Sequence, residues 1–453
     1  MTNSSMIEKV ILQDLGDGLV LRRATPQDAQ ALGEFNARLH SDDGPDQPDE
    51  RIGMWTRDLI SGGHPTVDPG DSTIVEDTTR GKIVSSVCLI PETWSYGGIP
   101  ISVGRLELVA TDPEYRNRGL VRLQFDTIHQ WCAQRGDVLQ AVTGIPYYYR
   151  QFGYEMALDL DCGRVGYPVN VPELASQQPE PYQIRPARQD DLAFIANLYE
   201  NACQRYLVHS MFDLAMWQYE LDGRSAQNIV RLEWCMIETP DCAPVGFLAH
   251  PHFLWTRGSM MTAMAYEVAA GYSWAAVTPT VIRYLAATGR EYAARQPGKT
   301  FGAFCFWLGR EHPIYEVARE RTPRFRKPYA WYIRVPDLPG FLHQVAPVLE
   351  RSLQDSAFAA YTGEIKITFY RSGLKLTFVS GRLSDVQAWK PEPQGESGDA
   401  GFPDLTFLQL LMGYRSLEEL EYAFPDCWCS NDEARGLLNA LFPKRLSHVL
   451  PVA

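Results

Sequence analysis

The sequence predicts a mixed α/β protein of the α+β type, built from three domains, and three observations carry that expectation. The chain has 453 residues, which at roughly 150 residues per domain is room for about three. Strand-like and helix-like segments alternate from Gly18 to about Val165, and a similar order of segments returns after a Pro- and Gln-rich stretch. The last third carries an apolar helix and then a period-two hairpin instead. Hydrophobic residues make up 45% of the chain and charged residues 21%. That is enough apolar material for several cores, and it excludes a disordered chain.

Residues 1–17 read as a polar lead-in to a first domain over 1–165. The stretch 166–180, from Tyr167-Pro168-Val169 to Gln177-Gln178-Pro179, lacks apolar periodicity and reads as a linker. A second domain over 181–335 opens like the first. Leu21-Arg22-Arg23-Ala24 precedes Asp28, and Ile184-Arg185-Pro186-Ala187 precedes Asp191 at the same mutual spacing. In both places a short strand enters a turn whose Asp can cap the next helix, which suggests a duplicated domain. In the third domain, 336–453, Phe341, Val345, Val348, Leu349 and Leu353 keep helical spacing. Ile365, Ile367 and Phe369 alternate with polar residues, as do Leu374, Leu376 and Phe378, which predicts a hairpin with one buried face. Pro391 to Asp404 reads as a surface loop, followed by helices near 404–413, 416–423 and 431–441.

Lys and Arg total 42 against 55 Asp and Glu, for a net charge of −13. An acidic chain lacks the basic footprint of a sequence-independent nucleic-acid binder. It fits a protein with cationic small-molecule substrates if the acidity lines a cleft, and serves solubility alone if it is spread out. Neither a signal peptide nor an apolar run long enough for a membrane span is visible. Nine cysteines, odd in number and scattered, point to a reduced, cytoplasmic protein. Cys427-Trp428-Cys429 and His250-Pro251-His252 lack further ligands nearby, so no metal site is expected.

The stretch 103–156 carries the chemistry. An apolar strand from Val103 to Thr111 ends at Asp112-Pro113. Glu114-Tyr115-Arg116-Asn117-Arg118-Gly119-Leu120-Val121 follows, and then a helix with Val121, Phe125, Ile128 and Cys132 on one face. A strand ending in a basic, Gly-containing turn that opens a helix is a phosphate cradle. Free amide hydrogens and the positive dipole end meet the anion, and Gly119 lets the backbone come close.

Arg116-x-x-Gly119-x-Val121 resembles the acetyl-CoA pyrophosphate loop of the GNAT acetyltransferases, with Val121 where many members have Gly or Ala. Tyr148-Tyr149-Arg150-Gln151-Phe152-Gly153 is similar to the family's late turn, in which the Tyr three residues before Phe-Gly is the general acid. The whole chain resembles the Eis type of the family: tandem GNAT folds, the second degenerate, and a C-terminal domain like a sterol carrier protein. In the second copy, Met261 to Ala270 leads into Gly271-Tyr272-Ser273-Trp274 with no Arg-x-x-Gly before the helix, so no cradle is expected there.

The resemblance implies direct acetyl transfer from acetyl-CoA to a primary amine of a small acceptor, aminoglycoside- or polyamine-like. Val109, Ala110 and Thr111 would pair with the pantetheine arm, and Arg116, Asn117, Arg118, Gly119, Leu120 and Val121 would hold the pyrophosphate. Tyr149 would protonate the CoA thiolate. The base would be the terminal carboxylate of Ala453, with Glu107 as the second candidate. A homo-oligomer, a hexamer, is implied, with no nucleic-acid or membrane partner. Two other functions stay open: a non-catalytic CoA- or lipid-binding carrier or sensor, and a protein lysine acetyltransferase.

Overall fold

A computed structural model describes residues 9–175, 178–255, 259–295, 298–391 and 398–450. The chain opens with a hairpin, β1 (Ile11–Gly16) and β2 (Leu19–Arg23). Two amphipathic helices follow, α1 (Ala29–Leu39) and α2 (Glu50–Ile60). Their Leu32, Phe35, Trp55, Leu59 and Ile60 bury one stripe against Ile74, Ile90, Leu108 and Ala110 of the sheet behind them. β3 (Ser72–Asp77), β4 (Lys82–Tyr96) and β5 (Ile99–Thr111) continue that sheet antiparallel. α3 (Leu120–Arg135) then crosses over to β6 (Leu139–Val142), which lies parallel to β5 as a helical crossover requires. β7 (Glu155–Leu160) and β8 (Gly163–Gly166) end the first copy.

The second copy begins with β9 (Gln183–Pro186) and α4 (Leu192–Cys203), the counterparts of β2 and α1. β10 (Val208–Met211) pairs with the far end of β4. β11 (Leu232–Glu238), β12 (Pro244–Pro251) and β14 (Ala265–Val268) join β9 in one sheet. β13 (Met260–Ala263) is cut from β14 at Met264 and pairs with β15 (Ala303–Phe306) in another. The helix after β14 starts at Trp274, whose ring packs on Tyr266 and His312 at 5.0 and 5.3 Å. Duplication extends to side chains. Arg22 donates to Asp28 at 2.7 and 2.8 Å and to Glu76 at 2.5 Å. Arg185 donates to Asp191 at 2.7 and 2.9 Å and to Glu238 at 2.5 and 3.1 Å. Each Asp also accepts a backbone amide three residues upstream, from Thr25 and from Arg188, both at 2.8 Å.

The two copies exchange strands. β16 (Arg324–Arg326) and β15 pair with β8, which leaves the first copy. In return β17 (Tyr329–Arg334), from the end of the second copy, enters the first sheet between β6 and β7. Ala330, Trp331, Tyr332 and Ile333 are all buried, the continuous apolar run of a strand covered on both faces. A linear division of the chain near 165 and 335 does not show this exchange.

The third part packs onto the same sheet. Phe341, Leu342, Val345 and Val348 share a core with Trp94, Val103, Leu139 and Trp331. The helical run breaks at Val345 into Leu338–Gln344 and Ala346–Gln354, with Pro347 at the start of the second piece. β18 (Gly363–Thr368) and β19 (Gly373–Val379) form the hairpin, with Ile365 opposite Leu376 and Ile367 opposite Leu374. β20 (Arg382–Trp389) adds a strand that the sequence pattern does not announce, because only Leu383 and Val386 of it are buried. β21 (Ala400–Gly401) and β22 (Trp428–Cys429) complete the sheet. The expected surface loop 391–404 therefore ends in a buried strand. Helices Phe407–Leu411, Leu417–Ala423 and Asp432–Leu441 follow. The chain then returns along β10, where the His448 amide donates to the Val208 carbonyl at 2.9 Å.

Candidate active site

β5 and β6 pair only where Val103 to Leu106 face Leu139 to Val142. Beyond Leu106 the two strands part, and Glu107 to Thr111 have no ladder partner on that side among the described residues. A bulge marks the parting. The register between β4 and β5 shifts between Ser86 and Cys88, and Leu108 holds a φ of 54°. Bulges bend a strand and free backbone groups from the ladder. The freed edge walls a pocket of about 820 Å³. Val109, Ala110, Thr111, Arg116, Asn117, Arg118, Gly119, Leu120, Val121, Glu107 and Tyr149 all line it.

The turn that closes the pocket is fixed from behind. Asp112 accepts the Glu114 amide at 3.1 Å and pairs with Arg38 and Lys82 at 3.4 and 3.5 Å. The buried Tyr115 donates its hydroxyl to Asp77 at 2.5 Å. The backbone then enters the left-handed region twice, at Asn117 (φ 61°) and Gly119 (φ 75°). A Cβ at Gly119 would meet no protein atom within 4 Å, so this face of the turn is open to the pocket. The first bond of α3 runs from the Leu123 amide to the Gly119 carbonyl at 3.1 Å. The amides before it point outward at the positive end of the helix dipole, which favours a phosphate. The Arg118 guanidinium lies 5.0 Å from the Tyr115 ring, and Arg122 lies 4.9 Å from Phe152.

Tyr149 sits in the single helical turn Tyr148–Phe152 and is 3% exposed. Its ring stacks on Phe125 and meets Tyr332 edge-on at 5.4 Å. Burial, and after it the charge of Glu107, pushes its pKa well above the ordinary tyrosine value, so the phenol keeps its proton. The exchanged strand holds this turn in place. The Tyr332 hydroxyl accepts the Tyr147 amide at 2.6 Å, and the Tyr329 hydroxyl donates to the Gly144 carbonyl at 2.6 Å. Gly144 has a φ of 119°, and a Cβ there would stand 3.4 Å from the Tyr149 hydroxyl.

Glu107, the second candidate for the base, lies in the pocket wall, and several other pocket residues carry no local signature in the sequence. Glu107 accepts from Arg105 at 2.8 and 3.0 Å and from the Thr143 hydroxyl at 3.4 Å, all on Oε1. The buried Arg105 also donates to Glu92 at 3.0 Å. His40, at the end of α1, lines the same pocket. Tyr329 and Tyr332 arrive from far along the chain. Ala453 lies outside the described residues. The last described residue, Leu450, accepts the Ser210 hydroxyl at 3.3 Å. Among the described residues no cluster of His, Cys, Asp or Glu could hold a metal ion.

Residues 22–157 match the acetyltransferase (GNAT) domain family. The first domain is a GNAT acetyltransferase. An acyl-CoA is therefore its co-substrate, and the parted strands and the Gly119 turn of this GNAT domain fit one: a bare strand edge for the pantetheine arm and a helix start for the pyrophosphate. No curated relative matches the chain in sequence. Solved structures share its fold over nearly its whole length. A GCN5-related N-acetyltransferase from Kribbella flavida has 15% identity and a TM-score of 0.61, covering 96% of this chain and 98% of that one. One from Anabaena variabilis has 13% identity and a TM-score of 0.60, covering 96% and 100%. Eis1 from Mycobacterium abscessus has 11% identity and a TM-score of 0.58, also covering 96% and 100%. The GNAT domain thus sits in a multidomain fold of the Eis type. Among the described residues no helix is long and apolar enough to cross a membrane.

Proposed function

We propose that the GNAT domain transfers the acetyl group of acetyl-CoA directly to a primary amine of a small, polycationic acceptor, aminoglycoside- or polyamine-like. One observation carries this reading: a single pocket brings together the bare edge of β5, the open Gly119 turn and the buried phenol of Tyr149. Backbone amides of Val109 to Thr111 would hold the pantetheine arm and polarise the thioester carbonyl as charge develops on it. Residues 116–121 would hold the pyrophosphate. Tyr149, kept protonated by burial, would give its proton to the leaving thiolate.

The acceptor class rests on charge. Asp42, Asp43 and Asp46 are exposed on the segment directly after the pocket residue His40, and a cationic amine would gather there. For the base, the Ala453 carboxylate follows from the Eis resemblance, and Glu107 from its place in the pocket wall. Removing residues 451–453 without changing turnover excludes the first. The same resemblance implies a hexamer, which light scattering on the purified protein checks.

Release of free CoA across a panel of amines tests the proposal: a polyamine, an aminoglycoside, a lysine peptide and an arylamine. The expected result is turnover of the polycationic small molecules. A preference for the peptide would turn the reading to a protein lysine acetyltransferase. Silence with every amine, together with binding of CoA or fatty ligands, would turn it to a carrier or sensor.

A further inference from the structure

We propose that Arg122 recognises the 3′-phosphate of coenzyme A, so that this pocket draws its acetyl group from a free CoA thioester and not from a phosphopantetheine arm carried on a protein. This rests on the reading of residues 116–121 as the pyrophosphate cradle and names a residue outside it.

Arg116, Arg118 and Arg122 line the pocket, and all three are exposed. Among the described residues none of them forms an ion pair with a carboxylate. Glu114, the acid nearest to Arg116 in the chain, is taken by Arg80 and Lys82 at 3.0 and 3.7 Å. Like charges gathered in one pocket repel until an anion joins them. Arg122 also passes over a partner at a helical spacing that favours ion pairs. The exposed Asp126 stands four residues on along α3. The guanidinium lies instead against the turn Tyr148–Phe152: Nη2 donates to Gln151 Oε1 at 3.0 Å, and the group is 4.9 Å from the Phe152 ring. Gln151 is itself fixed, its Nε2 donating to the Tyr148 carbonyl at 3.1 Å. Gln151 and Phe152 line the same pocket. An arginine held in this way has given up part of its rotamer freedom, so less is lost when an anion binds.

Position selects which phosphate. Arg116 Nε donates to the Thr111 carbonyl at 3.4 Å, so it belongs to the β5 side of the turn. Arg122 belongs to the late-turn side, and Gly119 lies between them in the chain. With the pantetheine arm along β5 and the pyrophosphate on the Gly119 turn, the adenosine end leaves on the Arg122 side. A phosphate monoester carries about 1.5–2 negative charges at pH 7, and an arginine fork can meet it with two parallel hydrogen bonds. A phosphopantetheine arm on a carrier protein ends in a phosphodiester and has no 3′-phosphate to offer.

Titration calorimetry on the full chain tests this with acetyl-CoA, acetyl-dephospho-CoA and acetyl-phosphopantetheine. The wild type should bind acetyl-CoA about 10- to 100-fold more tightly than acetyl-dephospho-CoA, the range for hydrogen bonds to a charged group, and acetyl-phosphopantetheine more weakly still. Added salt should narrow the gap. Arg122→Gln should weaken acetyl-CoA by that same factor and leave acetyl-dephospho-CoA within about threefold, so that the variant no longer tells the two apart. Equal weakening of both ligands, or a wild type that binds them equally, overturns the proposal. Should the variant not fold, phosphorus NMR of CoA bound to the wild type decides. The 3′-phosphate should titrate at lower pH than in free CoA, because a neighbouring cation favours its dianion; an unmoved midpoint overturns the proposal. A wild type that binds none of the three ligands overturns the cradle reading and the proposal with it, and is told apart because no variant is needed to see it.

Discussion

At the scale of single residues, the roles proposed for Tyr149 and Gly119 separate chemistry from binding. Tyr149→Phe keeps the ring in its contacts with Phe125 and Tyr332 and removes only the proton donor. It should lower kcat by about 10²-fold or more while acetyl-CoA affinity stays within about threefold; equal kinetics for the two proteins would remove the acid role. Gly119→Val acts the other way. A side chain in the left-handed region costs about 1–2 kcal/mol, and this one would stand at the pocket wall where the proposal puts the pyrophosphate. Titration calorimetry should show acetyl-CoA affinity reduced more than about tenfold, the equivalent of some 1.4 kcal/mol. The place of both in one pocket was legible in the sequence because their signatures are local: a glycine at a fixed place in a basic turn, a tyrosine at a fixed distance before Phe152-Gly153. His40 was not, since a lone histidine at a helix end has no pattern around it. Tyr332 was not either, because its partner Tyr147 is brought to it only by the strand exchange.

At the scale of elements, the arginine clamps test the duplication energetically. Burial opposes the charge of Asp28, but the bonds from Arg22 outweigh it and hold the carboxyl below its usual range. Its stabilising contribution is therefore present above the unfolded carboxylate value and is lost as the pH falls through the lower folded one. Asp28→Asn strands a buried Arg22, 2% exposed, with Glu76 as its remaining carboxylate partner. The loss should be about 3–5 kcal/mol at neutral pH, and thermal melting should show the gap to wild type closing as the acid limit is approached. Asp191→Asn should cost less, because the Arg185 side chain is 28% exposed and water replaces part of what it loses. This pairing of strand, turn and helix start was legible from Arg22, Asp28, Arg185 and Asp191. β20 was not, because its buried residues lie three apart at a bulge, where the register shift breaks strict alternation.

At the scale of the whole molecule, the exchange of β8 and β17 governs what can be taken apart. A chain ending at Gly166 has every residue of the cradle and Tyr149, yet lacks the strand between β6 and β7 and the two tyrosines that hold the 144–149 turn. It should fail to bind acetyl-CoA or remain aggregated, whereas a chain ending near Val335 contains both copies of the exchange; calorimetry with acetyl-CoA on the two checks this. The hairpin of β18 and β19 was legible because its period-two pattern sets it apart from the helical runs before it. The pairing partners of β17 were not, since hydrophobic pattern reports that a strand is buried and says nothing of where.

The crossing strand also sets a timetable. During synthesis β6 and β7 emerge early but keep bare edges, which are hazards for wrong pairing, until residue 334 has left the ribosome. Domain-by-domain folding, the usual route for a long chain, is thus closed to the catalytic half. The same link acts over evolutionary time. The second copy can do without a phosphate turn of its own, but its deletion would carry away the strand between β6 and β7 on which the first depends. A module without a cradle of its own is retained as the scaffold of its twin.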